Sequence, residues 1–171
     1  MTDNLCTVPI GGMIVSDDPD DVLVAYGLGS CVAICLYDPV AQVGGMLHAL
    51  LPAANENRRG NPTKFVDQGT PLLIESLLKL GARRSRLIAQ LCGGAQLLST
   101  LGFDGALDIG ERNVLAAEAA LQAAGLRVQA RATGGHIGRT VRLYLATGQV
   151  TVKSLEQGER ALNANKSEGD P

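Results

Sequence analysis

Two side chains in this sequence have the types and spacing for nucleophilic chemistry, a cysteine at position 31 and a histidine at position 48. Cys31 closes the stretch Gly27-Leu28-Gly29-Ser30-Cys31, and His48 lies within Gly44-Gly45-Met46-Leu47-His48-Ala49-Leu50-Leu51-Pro52. Two glycines before a thiol keep side chains out of the space in front of it and leave backbone N–H groups close by. A thiol so placed can attack a carbonyl carbon while those N–H groups hold the oxyanion, and an imidazole on the next strand can take and return the proton. The expectation is a Cys31/His48 dyad with the backbone of Gly29, Ser30 and Cys31 as oxyanion support. Spacing alone leaves a competing reading open, in which both residues are ordinary core packing.

Strands must position this pair. Val22–Tyr26 and Val32–Tyr37 are short, rich in β-branched residues and poor in polar ones, the pattern of buried strands. Asp38-Pro39 turns the chain into a third strand over 42–51 that carries His48. Residues 8–16 read as an opening strand broken by Gly11-Gly12. The acidic run 17–21 reads as a solvated turn, because it lacks the spaced ligands of a calcium loop. The polar stretch 53–69 reads as an exposed loop, either a recognition element or a connector. A helix follows with Leu73, Leu77 and Leu80 on one stripe, stopped by Gly81.

Arg83-Arg84-Ser85-Arg86 reads as a solvated edge or a partner contact, ahead of a buried strand over 87–91. Gly93-Gly94 leads toward a short helical stretch ending near Gly102, and an alanine-rich helix is expected over 111–124. Leu126, Val128, Ala130 and Ala132 alternate with polar residues as in a half-buried strand. The loop Gly134-Gly135-His136-Ile137-Gly138-Arg139 is glycine-rich, but no helix pattern follows to make it a phosphate cradle. Val141, Leu143 and Leu145 then form a hairpin with Val150 and Val152 through Thr147-Gly148. The expected fold class is α+β (α/β layered): two packed mixed or antiparallel sheets with helices on the outside. One domain is expected over 1–157, with a disordered polar tail over 158–171.

Composition narrows the function. At 171 residues and 46% hydrophobic content the chain can bury a core without metal or disulfides. A net charge of −2, with no basic cluster interleaved with aromatics, argues against a nucleic-acid partner. The N-terminus lacks a charged and apolar leader pattern, and no apolar run is long enough to span a bilayer, so a cytoplasmic protein without membrane insertion is expected. The four cysteines, Cys6, Cys31, Cys35 and Cys92, form no C-x-x-C pair and are expected as free thiols. Cys31, Cys35 and Cys92 with His48 or His136 match no zinc-site spacing, so neither metal nor cofactor is expected. Cys31 and Cys35 lie four apart and face one side of a straight strand, which makes Cys35 packing.

The motifs Gly27-Leu28-Gly29-Ser30-Cys31-Val32-Ala33, Asp38-Pro39 and Gly44-Gly45-Met46-Leu47-His48 resemble the CheD family of chemoreceptor glutamine deamidases. Gly93-Gly94-Ala95, Gly110-Glu111-Arg112-Asn113-Val114, Thr133-Gly134-Gly135 with Gly138-Arg139, and Thr147-Gly148 follow in the family's order, covering about residues 10 to 155. The resemblance implies a Cys/His deamidase fold shared with toxins of the cytotoxic necrotizing kind. It also implies a protein-glutamine glutaminase with Cys31 as nucleophile and His48 as its base, and a companion methylesterase activity. Implied partners are the cytoplasmic region of methyl-accepting chemotaxis receptors and a CheC-type phosphatase. One position departs from the family: where it usually has a threonine whose hydroxyl orients the histidine, this chain has Ala25. Either a backbone carbonyl or another side chain then holds His48, or the chain is a weak enzyme that mainly binds CheC. A cysteine hydrolase acting on a small amide is a third reading.

Overall fold

In the computed structural model, residues 2–55, 60–97 and 108–162 and the backbone of 167–168 are described, and they form two facing sheets. The smaller sheet has the strand order β1 (Asn4–Thr7), β3 (Asp21–Leu28), β8 (Arg139–Tyr144), β9 (Val150–Ser154), β10 (Gly158–Ala161). The larger has the order β11 (Ser167–Glu168), β7 (Val128–Thr133), β6 (Ile88–Gly93), β4 (Val32–Asp38), β5 (Val43–Ala49), β2 (Gly12–Ser16). Both sheets are mixed, with β1 parallel to β3, and β6, β7 and β11 parallel to one another. Every residue of β4 and β5 is buried, as expected of central strands that read as continuous apolar runs.

The two faces of the larger sheet have separate tasks. Even-numbered residues of β4, namely Val32, Ile34 and Leu36, join Leu47 and Ala49 under the helices α1 (Val66–Lys79) and α2 (Ile109–Ala123). Leu73, Ile74 and Leu77 of α1 and Ala117 and Leu121 of α2 complete this layer. Odd-numbered residues Cys31, Ala33 and Cys35 face the smaller sheet, against Leu23, Ala25, Val141 and Leu143. Both described helices therefore lie on the outer face of the six-stranded sheet. The outward positions of β8 and β9, such as Thr140, Arg142 and Lys153, are polar and give a helix little apolar surface to bury.

Several expectations about the chain's course need correction. The opening segment is two strands, β1 and β2, one in each sheet, because Pro9 and Gly11 (φ +76°) turn the chain between them. The 53–69 loop is shorter than expected: Pro62–Lys64 form a 3₁₀ turn, Thr63, Phe65 and Val66 are buried, and α1 begins at Val66. The chain does not become a tail at 158. Gly158 turns with φ +66°, β10 pairs with β9, and Leu162 buries itself in the inter-sheet core. The helical stretch expected to end near Gly102 lies outside the described residues.

Candidate active site

Cys31 sits in the connection between β3 and β4, one residue before Val32. The ladder between β4 and β5 pairs Ala33 with His48 and Val32 with Ala49. Directly opposed residues of an antiparallel pair share a face, so His48 projects into the inter-sheet space beside Ala33. Cys31, two residues before Ala33, stands on that same face one diagonal step from His48. Both side chains are buried, Cys31 at 7% and His48 at 1% exposure. The expected dyad is thus brought to one face of one sheet.

Backbone contacts aim the histidine. His48 Nδ1 lies 3.3 Å from the carbonyl oxygen of Val8. A carbonyl only accepts, so Nδ1 carries the proton and donates it, which leaves Nε2 as an unprotonated acceptor. Nε2 is buried and has no hydrogen-bond partner among the described residues. Val8 is held in turn by its own N–H, which donates to Val24 O at 2.8 Å, next to Ala25 on β3. The Gly11 N–H donates to His48 O at 2.7 Å. The β1–β2 connection therefore grips His48 by both ring and backbone, through the Val8 carbonyl and the Gly11 N–H.

Electrostatics separate the three buried thiols. Burial pushes the Cys31 thiol up, but its own backbone N–H pulls it back toward the ordinary value. Burial pushes Cys35 well up, with the neighbouring Cys92 adding to it, and pushes Cys92 to about 12 despite the Arg139 guanidinium nearby. Both are packing residues between the sheets. Burial lowers His48 against the opposing pull of the Val8 carbonyl. Burial thus biases both Cys31 and His48 toward their neutral forms. Among the described residues no group of three His, Cys, Asp or Glu side chains could hold a metal ion.

The loop before Cys31 is held by its carbonyls. Gly29 O accepts from the Ala95 N–H and Cys31 O from the Gly94 N–H, each at 2.8 Å, and Ser30 O accepts from the Asn113 side chain at 2.8 Å. The Cys31 N–H is not among these holding contacts and interacts with the Cys31 sulfur. Gly93 makes this seat possible: its φ is +104°, and an added Cβ would stand 2.3 Å from Cys31 O. Gly93→Ala is therefore expected to shift the Cys31 loop and lower stability by about 1–3 kcal/mol, read as a fall in the urea midpoint. An unchanged midpoint would show that the loop is not seated on Gly93.

Other residues singled out in the sequence lie around this centre. Tyr26, Gly27, Ile137, Gly138, Arg139 and Leu155 are among those that line an open groove on the β3–β8 side of the loop. His136 is exposed, with Nδ1 at 3.1 Å from Gln96 O. Arg86 is not a solvated edge residue, because its guanidinium pairs with buried Asp38 at 2.8 Å. Sequence reasoning also missed Asn113 as a contact of this loop. Its signal was a polar residue at 113 in line with apolar Ala117 and Leu121, four and eight positions on, on the buried stripe of α2.

A buried thiol just before one strand and a carbonyl-bonded imidazole on the next thus share one face of a two-sheet α+β domain. The chain belongs to the CheD family: the model described as "CheD chemotactic sensory transduction" matches residues 50–154. It is 45% identical over 157 residues to "Probable chemoreceptor glutamine deamidase CheD" of Symbiobacterium thermophilum, covering 91% of this chain and 95% of that one. It is 50% identical over 141 residues to the protein of the same name from Pyrococcus abyssi, covering 82% and 86%. The crystal structure of the Bacillus licheniformis hypothetical protein YfiH overlaps 53% of this chain and 36% of its own, with TM-score 0.35 and 15% identity, too distant to bear on fold or function.

Proposed function

We propose that this chain is a chemoreceptor glutamine deamidase that converts receptor glutamines to glutamates through a thioester on Cys31. The observation that carries the reading is the aim of His48, with Nδ1 on the Val8 carbonyl and Nε2 unprotonated on the face that holds Cys31. The names of its relatives supply the substrate class.

In the proposed reaction, Cys31 Sγ bonds to the side-chain amide carbon while its proton passes to His48 Nε2. The tetrahedral oxyanion is met by the Cys31 N–H, with Gly29 and Ser30 shaping the backbone around it. The imidazolium then protonates the amide nitrogen, the C–N bond breaks and ammonia leaves. Water, giving its proton to Nε2, attacks the thioester, and the C–S bond breaks to release glutamate and restore the thiol. No metal or cofactor enters any step. A glutamyl methyl ester would pass through the same thioester, so methylesterase activity belongs to the proposal. The cytoplasmic part of the receptor is the proposed substrate, which places the work in the cytoplasm. Among the described residues no helix is long and apolar enough to cross a membrane.

Ala25 is the one observation that favours a second reading, a CheC-binding module with little activity. Mass spectrometry of a receptor cytoplasmic fragment incubated with the protein separates the two. Glutamine-to-glutamate conversion by wild type and none by Cys31→Ala is the expected result. A folded wild type that converts no receptor glutamine would overturn the deamidase reading and leave the binding module. Slow alkylation of Cys31 would not decide the matter, because a neutral resting thiol is slow in either case.

A further inference from the structure

We infer that Asn113 is a positioning residue that sets the separation of Cys31 and His48 while touching neither; the inference rests on the deamidase reading for its consequence in turnover. Asn113 is fully buried on α2, and its Nδ2 donates to Ser30 O at 2.8 Å and to Leu50 O at 3.0 Å. Ser30 immediately precedes Cys31, and Leu50 lies two residues after His48. The β4–β5 ladder ends at the pair Val32 and Ala49. Past that pair the strands part, and Leu50 N–H turns away to Lys64 O at 2.9 Å. Asn113 spans the gap with both of its amide hydrogens, a side-chain rung where the backbone rung is missing.

Only a side-chain amide or a comparable double donor fits this place. Both partners are carbonyls that only accept, so the nitrogen must face them, and Oδ1 is left buried with no partner among the described residues. An aspartate of the same shape would set an acceptor against two acceptors, and an apolar residue would orphan two buried carbonyls. The neighbouring motif residues explain how a helix comes close enough. A Cβ on Gly110 would stand 2.5 Å from Ala95 O, and one on Gly94 would stand 2.3 Å from Val114 Cγ2. The first turns of α2 thus rest directly on the loop whose N–H groups hold Gly29 O and Cys31 O. Gly110, Asn113 and Val114 act together: one permits contact, one bridges, and one packs.

The test uses Asn113→Asp and Asn113→Ala in the full chain, with Leu121→Ala as a control on the same helix. Leu121 is buried against the sheet away from this gap and reports what loosening α2 alone does. Two readouts are followed: receptor deamidation, and iodoacetamide alkylation of Cys31 against pH, resolved at that cysteine by mass spectrometry. The expected result is a fall in kcat of about 10- to 100-fold in both Asn113 variants with KM little changed, since a misplacement near 1 Å has that scale. Alkylation of Cys31 near pH 8 is expected to become several-fold faster as the loop opens and the thiol gains water. Leu121→Ala is expected to lose stability and keep both readouts near wild type. Alkylation curves unchanged in folded Asn113 variants would overturn the inference, whether or not the wild type deamidates. So would equal changes in Leu121→Ala, which would make Asn113 an ordinary helix anchor. If Asn113→Ala does not fold, the isosteric Asn113→Asp carries the same two outcomes.

Discussion

His48→Asn is expected to lower the rate of glutamine conversion by about two to four powers of ten with little loss of stability. Asparagine can set its amide nitrogen about where Nδ1 lies, so the bond to the Val8 carbonyl survives while the Nε2 base is gone. His48→Ala should lose activity to the same extent and also lose about 1–3 kcal/mol of stability, because it orphans a buried carbonyl and opens a cavity. The comparison separates the base from the fold around it. A His48→Asn protein within tenfold of wild type would remove His48 from the chemistry.

The same residue sets an acid limb. Turnover needs the neutral imidazole, and burial holds the His48 pKa below its ordinary value of 6.5. The acid limb of wild-type kcat/KM should therefore have its midpoint below pH 6.5. Stability follows the same sign: a depressed histidine contributes stability above the unfolded pKa that is lost as pH falls through the folded one. His48→Asn should show neither limb from this group. A wild-type midpoint above 6.5 would point instead to a thiolate–imidazolium resting pair.

The shared face of Cys31 and His48 was legible in the sequence because strand alternation and a tight turn are local signals. Apolar runs on either side of Gly27–Ser30, and Asp38-Pro39 between Cys31 and His48, suffice to put both side chains on neighbouring strands. What orients His48 was not legible. A backbone carbonyl carries no residue identity, and Val8 reaches His48 only because the chain turns at Pro9 and passes from one sheet to the other. The strand β10 was hidden for a related reason. Gly158-Glu159-Arg160-Ala161 is an edge strand with little buried surface, so its pairing leaves almost no hydrophobic pattern. Asn113 was half legible, as a polar residue on an apolar stripe, but its two carbonyl partners lie 83 and 63 positions away. Arg86 was misread because a short basic cluster is usually solvated, and its partner is 48 residues upstream.

That partner gives the largest expected effect on stability. Asp38 ends β4 with no exposure, at the opposite end of the strand from Cys31. Its Oδ1 accepts from the Val40 and Ala41 N–H groups at 2.9 and 3.1 Å, and its Oδ2 from the Arg83 N–H at 2.9 Å. Arg86 Nε donates to both oxygens at 3.0 and 2.9 Å, and Nη2 adds a contact at 2.8 Å. One carboxylate thus joins the β4–β5 turn to the segment that links α1 to β6. Burial pushes its pKa up, but Arg86 and the three backbone N–H groups outweigh it and bring the value to about 2, from an ordinary 3.8. That shift corresponds to about 2 kcal/mol of stability, present above pH 3.8 and lost as pH falls through 2. Asp38→Ala leaves three N–H groups and a half-buried guanidinium without their acceptor, and is expected to lose about 3–5 kcal/mol. Arg86→Ala should lose less, because the carboxylate keeps its backbone donors. Urea melts between pH 2 and 7 read both effects: wild type weakens toward pH 2, while Asp38→Asn starts weaker and lacks that decline. Where Asp38→Asn remains folded, its deamidation rate should match wild type, since β4 holds the two ends about 20 Å apart. A loss under 1 kcal/mol in Asp38→Ala would mean that Arg86 and the turn are held by other contacts.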